Sequence, residues 1–219
     1  MIYYLQSCSY PYAGGDERSN EKIRDYLFSK GIFICGCCHY SQGLFREGDT
    51  VLMICSNCAE VTLENSPQVK VEGLYSYLAN DPDFPWPDYG GEEMVLQDSA
   101  GFQEFPQMMA DVRTCLTKMN IRVVELPEPE RLSNCAFDGA KPYAPPSPRK
   151  RKMAPLRMGA AAKAVLPVPD GGILPLMEAR APLYTTDRVA VYSWSAGRGV
   201  EMAGKTAVHI LKLLTRDLP

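Results

Sequence analysis

Asp49-Thr50-Val51-Leu52-Met53-Ile54-Cys55-Ser56-Asn57-Cys58 decides the fold of this chain. A short apolar run bounded by polar residues reads as a buried strand. The serine and asparagine that follow suit the start of a helix. The same order recurs at Asp187-Arg188-Val189-Ala190-Val191-Tyr192-Ser193-Trp194-Ser195-Ala196. Two more segments repeat. Leu5-Gln6-Ser7-Cys8 resembles Leu96-Gln97-Asp98-Ser99, each closing an apolar run, Ile2-Tyr3-Tyr4 or Met94-Val95. Ile23-Arg24, Leu27 and Gly31-Ile32-Phe33-Ile34 resemble Val112-Arg113, Leu116 and Asn120-Ile121-Arg122-Val123. Each is an amphipathic helix, then Gly or Asn for the left-handed residue at its end, then a strand.

Three matches in one order mark an internal repeat. Continuous apolar strands alternating with helices predict parallel sheet covered on both faces. The expected fold is α/β, with two related lobes, each a small, mostly parallel sheet flanked by helices. The first lobe spans roughly residues 1–90 and the second roughly 91–219. An irregular, proline-rich insertion falls at about 136–186, with the basic run Arg149-Lys150-Arg151-Lys152 read as a solvated turn. Asp81 to Gly91 reads as an extended connection whose aromatics pack across the lobe boundary.

The 219 residues are 46% hydrophobic and 22% charged, with net charge −3, which disfavours nucleic acid as partner. No apolar run reaches membrane-spanning length. The first residues do not read as a secretory leader. The expectation is a cytoplasmic protein, in a compartment where thiols stay reduced or bind metal.

Six of the eight cysteines fall in the first 58 residues. Cys8, Cys37, Cys38, Cys55 and Cys58 all follow predicted strands, at the carboxyl edge where sites form in open α/β sheets. Cys55-x-x-Cys58 at a helix start favours thiolate. Five thiolates exceed the four donors of a structural zinc and suit a multi-iron cluster better. Zinc and a metal-free thiol pair at Cys55 and Cys58 are the alternatives. In the second lobe Ser99, Ser193 and Ala196 stand where cysteines would, and Cys135-Ala136 stands for Cys37-Cys38. No cluster is expected there, and Trp194 is expected to fill the vacated space. Cys115 reads as a buried small hydrophobe. His39 reads as a hydrogen-bonded loop residue or a ligand. His209 reads as a partly exposed residue of a helix from Glu201 to Leu214. Gly199-Val200-Glu201-Met202-Ala203-Gly204-Lys205-Thr206 matches the phosphate-loop pattern, but the repeat places it in a helix rather than directly after a strand.

The pattern Cys8, Cys37-Cys38, Cys55-x-x-Cys58 resembles the cysteine-rich CCG domain family typified by heterodisulfide reductase, over nearly the whole chain. The resemblance implies tandem CCG domains, with the second site degenerate. It also implies that Cys8, Cys37, Cys38, Cys55 and Cys58 hold a non-cubane [4Fe–4S] cluster. It implies an oxidoreductase or an electron-transfer protein, with a flavin or iron–sulfur partner and a thiol or disulfide substrate. Two departures are visible. His39 replaces the family's glycine, and the interval from Cys38 to Cys55 is shorter. Cys35, in Cys35-Gly36-Cys37-Cys38, offers a second register for one ligand. A zinc-stabilised interaction module remains the alternative function.

Overall fold

The computed structural model describes residues 1–6, 17–102, 104–127, 131, 154, 156 and 172–219. Cys8, Cys135, the basic run at 149–152 and most of the insertion lie outside the described residues. The first sheet contains β1 (Ile2–Leu5), β2 (Phe33–Cys35), β3 (Thr50–Met53) and β4 (Lys70–Gly73), in the order β2-β1-β3-β4. The second contains β5 (Glu92–Gln97), β6 (Ile121–Glu125), β7 (Arg188–Val191) and β8 (Thr206–His209), in the order β6-β5-β7-β8. Every pairing is parallel. This is the α/β architecture with two lobes that the repeat implies.

Helices connect the strands. In the first lobe these are α1 (Glu17–Ser29), α2 (Cys38–Ser41), α3 (Ser56–Asn65) and α4 (Leu74–Asn80). In the second they are α5 (Pro106–Lys118), α6 (Ile173–Glu178), α7 (Trp194–Met202) and α8 (Ile210–Leu214). Chain direction fixes where a site can form. From the central pair β1 and β3, one connection runs outward to β2 and the other outward to β4. Right-handed crossovers then place α1 and α3 on opposite faces. In sheets of this topology a crevice forms at the carboxyl ends of the two central strands, here β1 and β3, where the connections part.

The fourth strand of each lobe is a finding that the repeat does not reveal. β4 is a short edge strand, Lys70-Val71-Glu72-Gly73, with no apolar run to announce it. The helix expected over Glu201–Leu214 is instead α7, β8 and α8. Gly204, at φ +74°, ends α7. Its N–H donates to the Glu201 carbonyl at 2.9 Å, and the Lys205 N–H to the Val200 carbonyl at 3.2 Å, which is a Schellman stop. Gly31 and Ile32 end α1 with the same pair of bonds. The phosphate-loop pattern is therefore the end of a helix and its stop, and Lys205 pairs with Asp187 at 3.6 Å.

The strand ladders also move the internal alignment. Tyr3 pairs with Val51 and Val95 with Val189, so Leu5 corresponds to Gln97 rather than Leu96.

Each lobe joins the other by pairing its first helix with the other's last. α4 packs on α5, and α1 packs on α8. Ile23, Leu27, Leu74, Leu116, Ile210 and Leu214 are all fully buried in one apolar core that spans both sheets. Truncating any of them to alanine costs about 2–5 kcal/mol. Cys115 is completely buried there. Its Sγ lies 3.4 Å from the Tyr75 carbonyl, and burial pushes its thiol up to about 12. The connection between lobes stacks Phe84 edge-on against Tyr26, with ring centres 5.1 Å apart, and sets Trp86 beside Lys118. Tyr89 donates its hydroxyl to the Leu213 carbonyl at 3.0 Å.

His209 is buried and caps α8, which corrects the expectation of a partly exposed mid-helix residue. Its Nδ1 accepts from the Leu211 N–H at 3.1 Å. Burial holds its pKa down to about 3, against a weaker hydrogen bond to the Tyr192 backbone. The folded pKa lies below the unfolded value near 6.5, so the unfolded chain takes up a proton first as pH falls. The associated stability is complete above about pH 6.5 and is lost on acidification toward pH 3, at no more than about 1.4 kcal/mol per pH unit. Urea unfolding between pH 7 and 4.5 checks this, and His209→Asn, which keeps a capping side chain, flattens the slope.

Candidate metal centre

Strand β2 delivers the chain to Cys35 and Gly36. Cys37 is extended (φ −61°, ψ 142°), and α2 starts at Cys38. An extended residue followed at once by a helical turn folds consecutive side chains toward one point. The donor atoms of Cys37, Cys38 and His39 lie within 4.8 Å of one another. Two donors of one tetrahedral ion, each about 2.0–2.3 Å from it, stand a little under 4 Å apart. Small rotamer changes close that gap, so this Cys-Cys-His group could hold a metal ion.

Strand β3 delivers the second set. Cys55 is the extended residue that begins α3, and Cys58 lies in the first turn. Hydrogen bonds with Cys38 and Cys55, together with burial, push the Cys58 thiol well above its ordinary value. Cys38 thus belongs to both sets. Thiols that share hydrogen bonds keep their protons, whereas a bound cation displaces them. Sulfur donors of this kind select soft or borderline metals: zinc, copper(I) or iron–sulfur clusters. The donor set therefore fits a metal centre, and His39 joins it as a nitrogen donor.

Of the five expected ligands, Cys37 and Cys38 lie in the compact donor group with His39, and Cys58 of α3 is hydrogen-bonded with Cys38 and with Cys55. The fifth, Cys8, lies outside the described residues. Cys35 is buried at the end of β2, its thiol raised by that burial, and is not one of the Cys37–Cys38–His39 group.

Gln42 ties the two halves together and was not visible as a functional residue in the sequence. Its Nε2 donates to the Cys38 carbonyl at 2.8 Å and to Thr62 Oγ1 of α3 at 3.3 Å. Its Oε1 accepts from the Ser66 hydroxyl at 2.8 Å. Ser41 Oγ donates to the Cys37 carbonyl at 3.2 Å. The backbone carrying Cys37 and Cys38 is thereby fixed against α3.

The second lobe has a different solution at the same edge. Ser193 begins α7, and its Oγ accepts the Ala196 N–H at 3.2 Å, an ordinary helix cap. Cys55 makes no such cap. Asp98, fully buried, follows β5. Its Oδ2 accepts from Arg113 at 2.8 Å and from Arg131 at 2.7 Å, and its Oδ1 from the Tyr192 hydroxyl at 2.6 Å. Burial works against the Arg113 charge, but Glu125 and Asp98 reverse this and raise its pKa overall. Removing one partner of such a buried pair costs about 3–5 kcal/mol. Tyr192, and not the half-buried Trp194, occupies the interior here, with its ring edge-on to Phe102 at 5.0 Å.

In comparisons with known proteins, no family model, no curated protein and no solved structure matches this chain.

Ser193 and Cys55 hold equivalent places, and only the serine caps its helix. In metal-free protein, Ser193→Ala is expected to lower stability by about 1 kcal/mol. Cys55→Ala should lower it by less. Urea denaturation in the presence of a chelator measures both.

Proposed function

We propose that this protein is an iron–sulfur redox protein with one metal centre, in the first lobe. The observation that carries the reading is the position of Cys38, shared between Cys37 and His39 on one side and Cys58 with Cys55 on the other. Four thiols, Cys38 included, and one imidazole make five donors, more than a single tetrahedral zinc takes. Several irons bridged by sulfide use such a set fully. The resemblance to CCG domains supports the same reading and suggests a [4Fe–4S] cluster.

The burial pattern suits electron exchange. Cys38 and Cys58 are buried, whereas Cys37, His39 and Cys55 are partly exposed. Inner sulfurs kept from water raise the cost of charge and so tune the potential. The exposed side leaves an approach for a flavin or iron–sulfur partner, or for a thiol or disulfide substrate. When bound, the cluster would supply one-electron chemistry. The chain's own residues supply the ligands, the fixed backbone of α2 and the first turn of α3, whose N–H groups favour negative charge. Among the described residues no helix is long and apolar enough to cross a membrane.

A zinc-stabilised module is the second reading, because Cys37, Cys38 and His39 with one further thiol would also make a closed tetrahedral site. Anaerobic purification followed by iron, acid-labile sulfide and zinc quantification separates the two. The expected result is a brown protein with iron and sulfide in comparable amounts. Cys55→Ser should lose most of the iron while the chain stays folded. A colourless protein holding one zinc overturns the iron–sulfur reading.

A further inference from the structure

The second lobe has a turn that reaches across to the sulfur site of the first. After β5, residues Ala100–Phe102 form a single 3-10 turn packed against α3. Gly101 of this turn faces the start of α3. A Cβ built there would stand 3.0 Å from Ser56 Oγ and 3.8 Å from Ser99 Oγ. Ser56 is the first residue of α3, directly after Cys55 and two before Cys58. A side chain on Gly101 would require Ser56 Oγ, directly after Cys55, to shift by a few tenths of an ångström.

The turn is held by the buried acid. Tyr192 donates its hydroxyl to Asp98 Oδ1 and accepts the Ser99 N–H at 3.3 Å with the same oxygen. Gln97 Nε2 donates to the Asp98 carbonyl at 3.0 Å. The Phe102 N–H donates to the Ser99 carbonyl at 2.9 Å, and the Phe102 ring packs on Tyr192. Thus the buried Asp98–Tyr192 pair at the second lobe's sheet edge also fixes the segment lying on the cysteine-bearing helix of the first.

We propose that the Ser99–Phe102 turn is a roof over the Cys55–Cys58 side of the metal centre, and that Asp98, Tyr192 and Gly101 are positioning residues for it. This rests on reading the cysteines as a metal centre. The roof limits access of small oxidants and chelators to Cys55 and Cys58. It also gives the cysteine-poor lobe a task that needs no cofactor of its own.

The test uses the full chain, metal-free and reduced, labelled with iodoacetamide and read cysteine by cysteine by mass spectrometry. Cys115, buried in the core between the lobes, is the internal reference for global opening. Gly101→Val should speed labelling of Cys55 and Cys58 about fivefold or more relative to Cys115. Asp98→Asn should act in the same direction. Gly43→Val is the control, since nothing lies within 4 Å of a Cβ at Gly43. If Gly101→Val does not fold, Gly101→Ala gives the smaller change. Unchanged ratios in both Gly101 and Asp98 variants overturn the roof. The labelling needs no metal, so it stands apart from the metal-centre reading. That reading has its own measure in the loaded protein, where Gly101→Val should release iron to a chelator faster. If the wild-type chain binds no metal, the proposed function falls and the labelling still decides the roof.

Discussion

Parallel pairing of β1 with β3 is the constraint on which the rest depends. A parallel ladder sends both strands' carboxyl ends to one edge, and outward connections leave a crevice between them. Residues some fifteen to twenty positions apart in sequence, Cys38 and Cys55–Cys58, meet at that edge without any long loop reaching for them. The apolar strands that force this pairing are buried on both faces, so the edge is held by the whole hydrophobic core rather than by local bonds. Gln42 then adds a local lock between α2 and α3.

The two lobes show one scaffold carrying two different solutions. Both start a helix after their third strand, and both place a short side chain at its first position. In the first lobe that side chain is a thiol that makes no helix cap. In the second it is a serine spent on capping, and Asp98 with its arginines and Tyr192 fills the interior. Lobe packing follows the same pseudo-symmetry, α4 on α5 and α1 on α8. The inequality of the lobes therefore lies at the sheet edge and not in the frame.

Much of this was legible in the chain. The copies ending in Cys58 and Ala196 predicted the two lobes and the parallel strands. Gly31 and Asn120 marked helix ends, and both have left-handed backbone, at φ +76° and +54°. The missed elements have physical reasons. β4 and β8 are edge strands of four residues, half-covered, with no continuous apolar run. His209 looked like a helix residue because Gly204, which stops α7, sat within an otherwise helical pattern. The one-residue shift of β5 against β1 is a matter of ladder register, to which side-chain similarity is nearly blind. Asp98 was legible only as a polar residue after a strand. Its partners Arg113, Arg131 and Tyr192 are separated from it in sequence and meet it only in the folded chain.

The most direct measurement is anomalous diffraction at the iron absorption edge from crystals of the full chain grown without oxygen. The account predicts one iron centre, beside Cys37, Cys38, Cys55 and Cys58, and none beside Ser193 and Ala196. An empty first-lobe site in iron-replete protein, or iron density at the second-lobe edge, would contradict it.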